Sequence, residues 1–156
     1  MAVPAGNGSG LMDAYATHLE ILVETALNTT GAILELGCGD YSTPVLSAIA
    51  KFQGRQFTAQ ASSPEWAARL GAELVDWRTW KPSGHWGMVF LDSEESVINR
   101  MKRLPELADI TEVVVMHDAD TAIRSDDWED KVKKYASCSL YEKHKPWTAV
   151  LRVCGH

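Results

Sequence analysis

Apolar positions change their period along the chain, and the changes mark its elements. From Leu11 to about Leu27 they fall at Leu11, Tyr15, Leu19, Leu22, Val23 and Ala26, which is helical spacing, with Ser9 as a candidate cap. Asn28-Thr29-Thr30-Gly31 ends that helix. Ala32 to Leu36 is then a short, mostly apolar run containing one acid, of a length suited to a strand buried on both faces. Helical spacing returns from Pro44 to about Phe52, placing Val45, Leu46, Ile49 and Phe52 on one side, and Gly54 stops it. Arg55 to Ala61 alternates as a second strand. Ser63-Pro64-Glu65 opens another helix, with Trp66 and Leu70 one turn apart, and Glu73 to Asp76 predicts a short third strand.

After the loop Trp77 to Gly84, Trp86 to Leu91 predicts a fourth strand that ends at Asp92. Glu94 to about Leu107 is helical, with acids in the first turn and bases later, which suits the helix dipole; Pro105 must kink or shorten it. Thr111 to Met116 is a Val-rich fifth strand ending at His117-Asp118. Ser125-Asp126-Asp127-Trp128 opens a last helix, basic at its end through Lys131, Lys133 and Lys134. Cys138 to Lys143 and Trp147 to Val153, separated by His144-Lys145-Pro146, read as a terminal antiparallel hairpin. Alternating strands and helices imply an α/β fold with a mainly parallel sheet and right-handed crossovers.

At 156 residues the chain is long enough for one domain with a real core, expected over 11–156 after a disordered, Gly-rich segment over 1–10. Apolar residues at 46% and charged ones at 23% are ordinary for a soluble protein. The net charge of −6 argues against a large nucleic-acid footprint, although a small basic surface stays open. Cys38, Cys138 and Cys154 are an odd number without a pairing pattern, and read as reduced thiols in a cytoplasmic compartment. The N-terminus lacks the basic start and long apolar run of a secretion signal. No stretch approaches the roughly 20 apolar residues that cross a bilayer.

The stretch Glu35-Leu36-Gly37-Cys38-Gly39-Asp40, followed by Tyr41-Ser42-Thr43-Pro44, carries the candidate chemistry. A strand runs into a glycine turn, where the missing Cβ atoms permit a tight bend and close ligand approach. Thr43 can cap the helix that follows, with Pro44 at its first position. Such a strand–turn–helix places a nucleotide-type pocket at the carboxyl edge of a parallel sheet.

This motif resembles the first motif of the class I S-adenosylmethionine-dependent methyltransferases, and the order of elements, closing in an antiparallel hairpin, resembles their seven-stranded Rossmann-like sheet with helices on both faces. The resemblance covers about residues 10 to 153. A dehydrogenase-type fingerprint would want a third glycine where Ser42 stands. The resemblance implies S-adenosylmethionine as cofactor. Gly37, Cys38 and Gly39 would line its methionine part, with Glu35 near the amino group and Tyr41, Ser42 and Thr43 beside the turn. Asp76 and Trp77, with Trp80 nearby, would hold the adenine edge, and Asp92 would face the transferable methyl group.

One position departs from the pattern. About 20 residues past the glycine turn, such a site wants an acid for both ribose hydroxyls. Here the second strand ends Thr58-Ala59-Gln60-Ala61-Ser62-Ser63, and alignment on Pro64-Glu65-Trp66 puts the expected acid at Ala61. Gln60 can make one bond there, but an amide is a weaker partner than a bidentate carboxylate.

Asp92, His117 and Asp118 end adjacent strands and should converge at the crevice. His117 is the candidate general base, since imidazole ordinarily titrates near neutral pH, with Asp92 or Asp118 orienting it. A variant has Asp92, Asp118 and Asp120 hold Mg²⁺, as in catechol-type methyltransferases. The plainer reading has His117 satisfying loop backbone groups and Asp118 capping a turn. Cys38 at the turn is a candidate thiolate without a neighbouring His. Trp66 and Trp128 read as core, Glu94-Glu95 and Asp126-Asp127 as first-turn helix acids, and His85 and His144 as solvated loop residues.

The leading expectation is a methyltransferase acting on a small molecule or a protein side chain. With no inserted substrate domain the acceptor pocket would be open, and a homodimer would close it; neither nucleic acid nor membrane is expected as partner. Two rivals remain: a binding or assembly module that has lost catalysis, favoured by Ala61, and another reaction on a nucleoside-type ligand in the same crevice.

Overall fold

The protein is described by a computed structural model covering residues 16–154. The expected disordered segment, the Ser9 cap and the first turn from Leu11 lie outside those residues. Within them the order is α1 (Leu19–Leu27), β1 (Ile33–Leu36), α2 (Ser42–Gln53), β2 (Phe57–Ala61), α3 (Pro64–Leu70), β3 (Glu73–Leu74), β4 (Trp86–Leu91), α4 (Val97–Leu107), β5 (Thr111–His117), α5 (Ala119–Ala122), α6 (Trp128–Val132), β6 (Tyr135–Tyr141) and β7 (Thr148–Val153).

The strands form one seven-stranded sheet in the order β3-β2-β1-β4-β5-β7-β6. β1 to β5 are parallel, and β7 runs antiparallel between β5 and β6. β1 is buried along its whole length, Glu35 included, as expected of a central parallel strand covered on both faces. Two apolar cores cover the two faces. Leu22 and Ala26 of α1 and Leu46 and Ala50 of α2 pack on Ile33, Met88 and Phe90. Met101, Leu104 and Leu107 of α4, with Trp128, pack on Leu34, Leu36, Val89 and Leu91. Side chains at adjacent strand positions point to opposite faces, so one strand feeds both cores.

Several boundaries move for local reasons. α2 begins at Ser42 rather than Pro44, because Thr43 N donates to the Gly39 carbonyl at 3.2 Å while the Thr43 hydroxyl accepts from Gly39 N at 3.0 Å. The first turn is thereby closed upstream, and Pro44 lies in it at no hydrogen-bond cost. α4 begins at Val97, capped by the Ser96 hydroxyl accepting from Asn99 N at 3.2 Å, so Glu94 and Glu95 precede the helix instead of forming its first turn. Pro105 is accommodated inside α4. The last predicted helix shrinks to α6, the unpredicted α5 follows β5, and the hairpin strands start at Tyr135 and Thr148.

Candidate active site

The carboxyl ends of β1, β4 and β5 are neighbours in the sheet, and a cleft of about 710 Å³ opens above them. Its floor and near wall are the turn residues Cys38, Gly39, Asp40, Tyr41 and Ser42. Asp92, Ser93 and Glu94 come from the end of β4, and His117 and Asp118 from the end of β5. His18, Trp66, Arg100 and Pro146 complete it.

The two glycines of the turn do different work. Gly37 has φ 95°, and a Cβ built there would stand 2.1 Å from the Asp92 carbonyl oxygen. It is glycine because β1 and β4 almost touch at their ends. At Gly39 a Cβ would meet only Ser42 Oγ, at 3.5 Å, and the residue lines the cleft. Gly39, not Gly37, is where a ligand can lie against backbone.

Beneath the turn Glu35 is fully buried. The Ser42 hydroxyl donates to its Oε1, whereas Oε2 has no partner. Burial pushes the Glu35 carboxyl from 4.5 up to about 7, and the charge of Asp92 adds to this while Ser42 and Thr43 pull it down. Cys38 is likewise pushed up to about 11, by burial first and then by the charges of Glu35 and Glu94. Its thiol therefore stays protonated at neutral pH, which removes the thiolate nucleophile.

On the far side lies a charged cluster. His117 is 4% exposed; Nδ1 faces Asp92 Oδ2 at 3.4 Å and Asp118 Oδ1 at 3.8 Å. The Thr17 hydroxyl donates to the Pro146 carbonyl at 3.2 Å and also lies in hydrogen-bond contact with His117 Nε2, at 3.2 Å. Asp118 has φ 60°, an unusual backbone for a residue with a side chain, of a kind that clusters at functional sites. Arg100 bridges the two acids, its Nη1 lying 2.8 Å from Asp92 and 2.7 Å from Asp118, while Nε donates to the Ser93 carbonyl at 2.7 Å. His18 stacks on Phe90 and, edge-on, on His117, with ring centroids 4.9 and 4.6 Å away. Burial lowers its pKa to about 4, with His117 adding to the effect and Asp92 opposing it.

No family model and no curated protein matches the sequence. Solved structures do match the fold. The N-terminal domain of EvdMO1, determined in the presence of SAH and D-fucose, superposes with a TM-score of 0.64 at 12% identity, over 91% of this chain and 84% of that one. The O-methyltransferase TomG from Streptomyces achromogenes, in complex with SAM, gives 0.54 at 14% identity, over 92% and 81%. The T. thermophilus 16S rRNA methyltransferase RsmC, in complex with AdoMet and guanosine, gives 0.53 at 11% identity; this chain is covered completely but spans only 45% of that one. The chain has the class I methyltransferase fold.

Against that fold, the expected site residues divide. Cys38, Gly39, Tyr41, Ser42, Asp92, His117 and Asp118 line the cleft. Glu35 and Thr43 stand behind it, one bonded to Ser42 and the other to Gly39. The expected adenine edge is arranged differently. Trp77 is 7% exposed, packed in the core with Arg103 over its ring and Trp80 edge-on at 6.1 Å, so its face is covered. Asp76 is tied to Arg78, at 2.8 Å. Gln60 has a bond at each end, donating to Glu73 at 2.9 Å and accepting from Trp80 Nε1 at 2.7 Å. Ala61 is fully buried. Trp66, expected in the core, instead lines the cleft, with the Arg69 guanidinium 4.1 Å from its ring centroid.

Sequence reasoning missed His18, Glu94 and Arg100. Arg100 looks like one more base on a helix, and Glu94 like a helix acid. The one available signal was the serine at 96, a better cap than a first-turn residue, which would have moved the acids into the loop. The same residues bear on the Mg²⁺ variant. Among the described residues, Asp92, His117 and Asp118 are the group whose ligand atoms lie within 4.8 Å of one another. Asp120 is directed elsewhere, accepting from Trp147 N at 3.3 Å. The position between the two carboxylates is taken by the buried Arg100 guanidinium, which offsets one of their two charges and would stand against any metal ion there, so these residues fit a divalent cation poorly.

Proposed function

We propose that the protein is an S-adenosylmethionine-dependent methyltransferase whose acceptor is a small molecule or a protein side chain, the small molecule being favoured by the size of the cleft. About 710 Å³ lies within the range of small-molecule sites. The net charge of −6 disfavours a nucleic-acid acceptor. The observation that carries the reading is the turn at Gly39, whose backbone stands open to the cleft that Asp92 and His117 also line.

When bound, the cofactor supplies an electrophilic methyl group on a sulfonium. The chain's own residues have to position the acceptor and take its proton. His117 is the group for that proton: its imidazole lines the cleft, with Nε2 beside the Thr17 hydroxyl and Nδ1 beside the two acids. Asp92 and Asp118, at 3.4 and 3.8 Å from Nδ1, orient the ring. Arg100 keeps the two carboxylates together despite their mutual repulsion. Glu35 and Thr43 act one step back, fixing Ser42 and Gly39 where the turn meets the ligand.

The absence of an acid at Ala61 favours a second reading, a binding module that has lost catalysis. Calorimetric titration with S-adenosylmethionine and S-adenosylhomocysteine separates the two. Micromolar affinity, abolished in Gly39→Arg with its thermal transition still cooperative, supports the enzyme. Silence up to millimolar ligand overturns it, and undiminished binding by Gly39→Arg would place the ligand elsewhere.

A further inference from the structure

The fold's usual place for a ribose-binding acid is the end of β2, and there the chain has Ala61, fully buried. A carboxylate nevertheless stands at that strand end. Glu94, on the loop after β4, reaches across to Ser62, the residue that follows Ala61. Its Oε2 accepts from Trp77 Nε1 at 2.6 Å and from the Ser62 hydroxyl at 3.3 Å, and Ser62 N lies 3.3 Å from Oε1 and 3.4 Å from Oε2. Glu94 lines the same cleft as Gly39.

The geometry points to Glu94 as the ribose-binding carboxylate of this protein, supplied from the β4–α4 loop in place of the acid missing from β2. The assignment rests on the adenosyl-binding reading above and names the residue that gives it ribose specificity. A carboxylate accepts about four hydrogen bonds. The short indole bond and the Ser62 hydroxyl anchor Oε2, whereas Oε1 has a single long contact and keeps capacity for a hydroxyl. The anchor is firm, because Trp77 is held in the core and Arg103 donates to its carbonyl at 2.6 Å. Position adds a second line of support. Glu94 lines the same cleft as Cys38, in the middle of the glycine turn, so the carboxylate and the turn border one ligand-sized space. Trp77, which a plain reading would stack on adenine, is then better described as a positioning residue for Glu94.

The test compares wild type with Glu94→Gln, titrated calorimetrically with S-adenosylhomocysteine and with its 2′-deoxy analogue. Glu94 is exposed and outside any helix or strand, so the isosteric amide leaves the fold intact, checked by the thermal transition. Wild type is expected to bind the ribose form roughly 10- to 100-fold more tightly than the deoxy form, the scale of a charge-assisted pair. Glu94→Gln should lose that factor for S-adenosylhomocysteine and bind the two ligands within about twofold of each other. An equal loss for both ligands with the preference retained would make Glu94 merely structural, acting through Trp77, and would overturn the assignment. Unchanged binding would overturn it too, while leaving the adenosyl site standing. No binding by wild type would remove the adenosyl reading and this inference together.

Discussion

Glu35 is the group whose environment makes the sharpest quantitative demand. Its carboxyl is fully buried, with one oxygen bonded to Ser42 and the other without a partner, and burial pushes it from 4.5 to about 7. Between those values the folded chain holds a proton that the unfolded chain has released. Stability contributed by this group is therefore complete below pH 4.5 and lost as pH rises toward 7, by about 1.4 kcal/mol per pH unit, or about 3 kcal/mol in all. His18 has the opposite sign. Its pKa falls from 6.5 to about 4, so its cost grows as pH falls from 6.5 toward 4, again by about 3 kcal/mol. Where the windows overlap, the two slopes nearly cancel in the wild type, and the pair is visible only when one member is removed. Glu35→Gln keeps the shape and the Ser42 contact but does not titrate. Urea unfolding at half-unit steps from pH 4 to 8 should show its stability rising relative to wild type by about 3 kcal/mol from pH 4.5 to 7, then staying level. His18→Phe should give a difference curve of the opposite slope. A flat difference curve for Glu35→Gln would refute the reasoning, because it would mean that the carboxyl ionises in the fold as it does in water.

Two further expectations concern the ends of β1 and β4. Gly37→Ala should prevent folding or cost more than about 3 kcal/mol, since its Cβ would stand 2.1 Å from the Asp92 carbonyl and its φ is 95°, whereas Gly39→Ala should keep a thermal midpoint within a few degrees of wild type. Equal midpoints for the two alanine variants would show that the strand ends are not in contact. Because Arg100 occupies the space between Asp92 and Asp118, millimolar Mg²⁺ or EDTA should leave the thermal midpoint unmoved; a shift of several degrees would reinstate the metal.

Much of the architecture was readable from residue order. Hydrophobic period marked each strand of the parallel core and the helices between them, and the run Glu35 to Gly39 announced a turn at the carboxyl edge. That Asp92 and His117 meet follows from their ending strands that pair in parallel register, Leu91 against Met116. These are short-range signals, carried by side-chain alternation and by glycine's conformational freedom. Among the described residues, no helix is long and apolar enough to cross a bilayer.

What could not be read there is which distant side chains meet across the top of the sheet. Glu94 looks like a helix acid until Ser96 takes the cap and the sheet order brings its loop beside the end of β2. Arg100 looks like a surface base until two acids on separate strands need one cation between them. Trp77 looks like an open aromatic face until the α4 side of the sheet closes over it. Each outcome depends on burial and charge balance among groups far apart in the chain. Such energies exist only once the strands are side by side, so local sequence carries no trace of them.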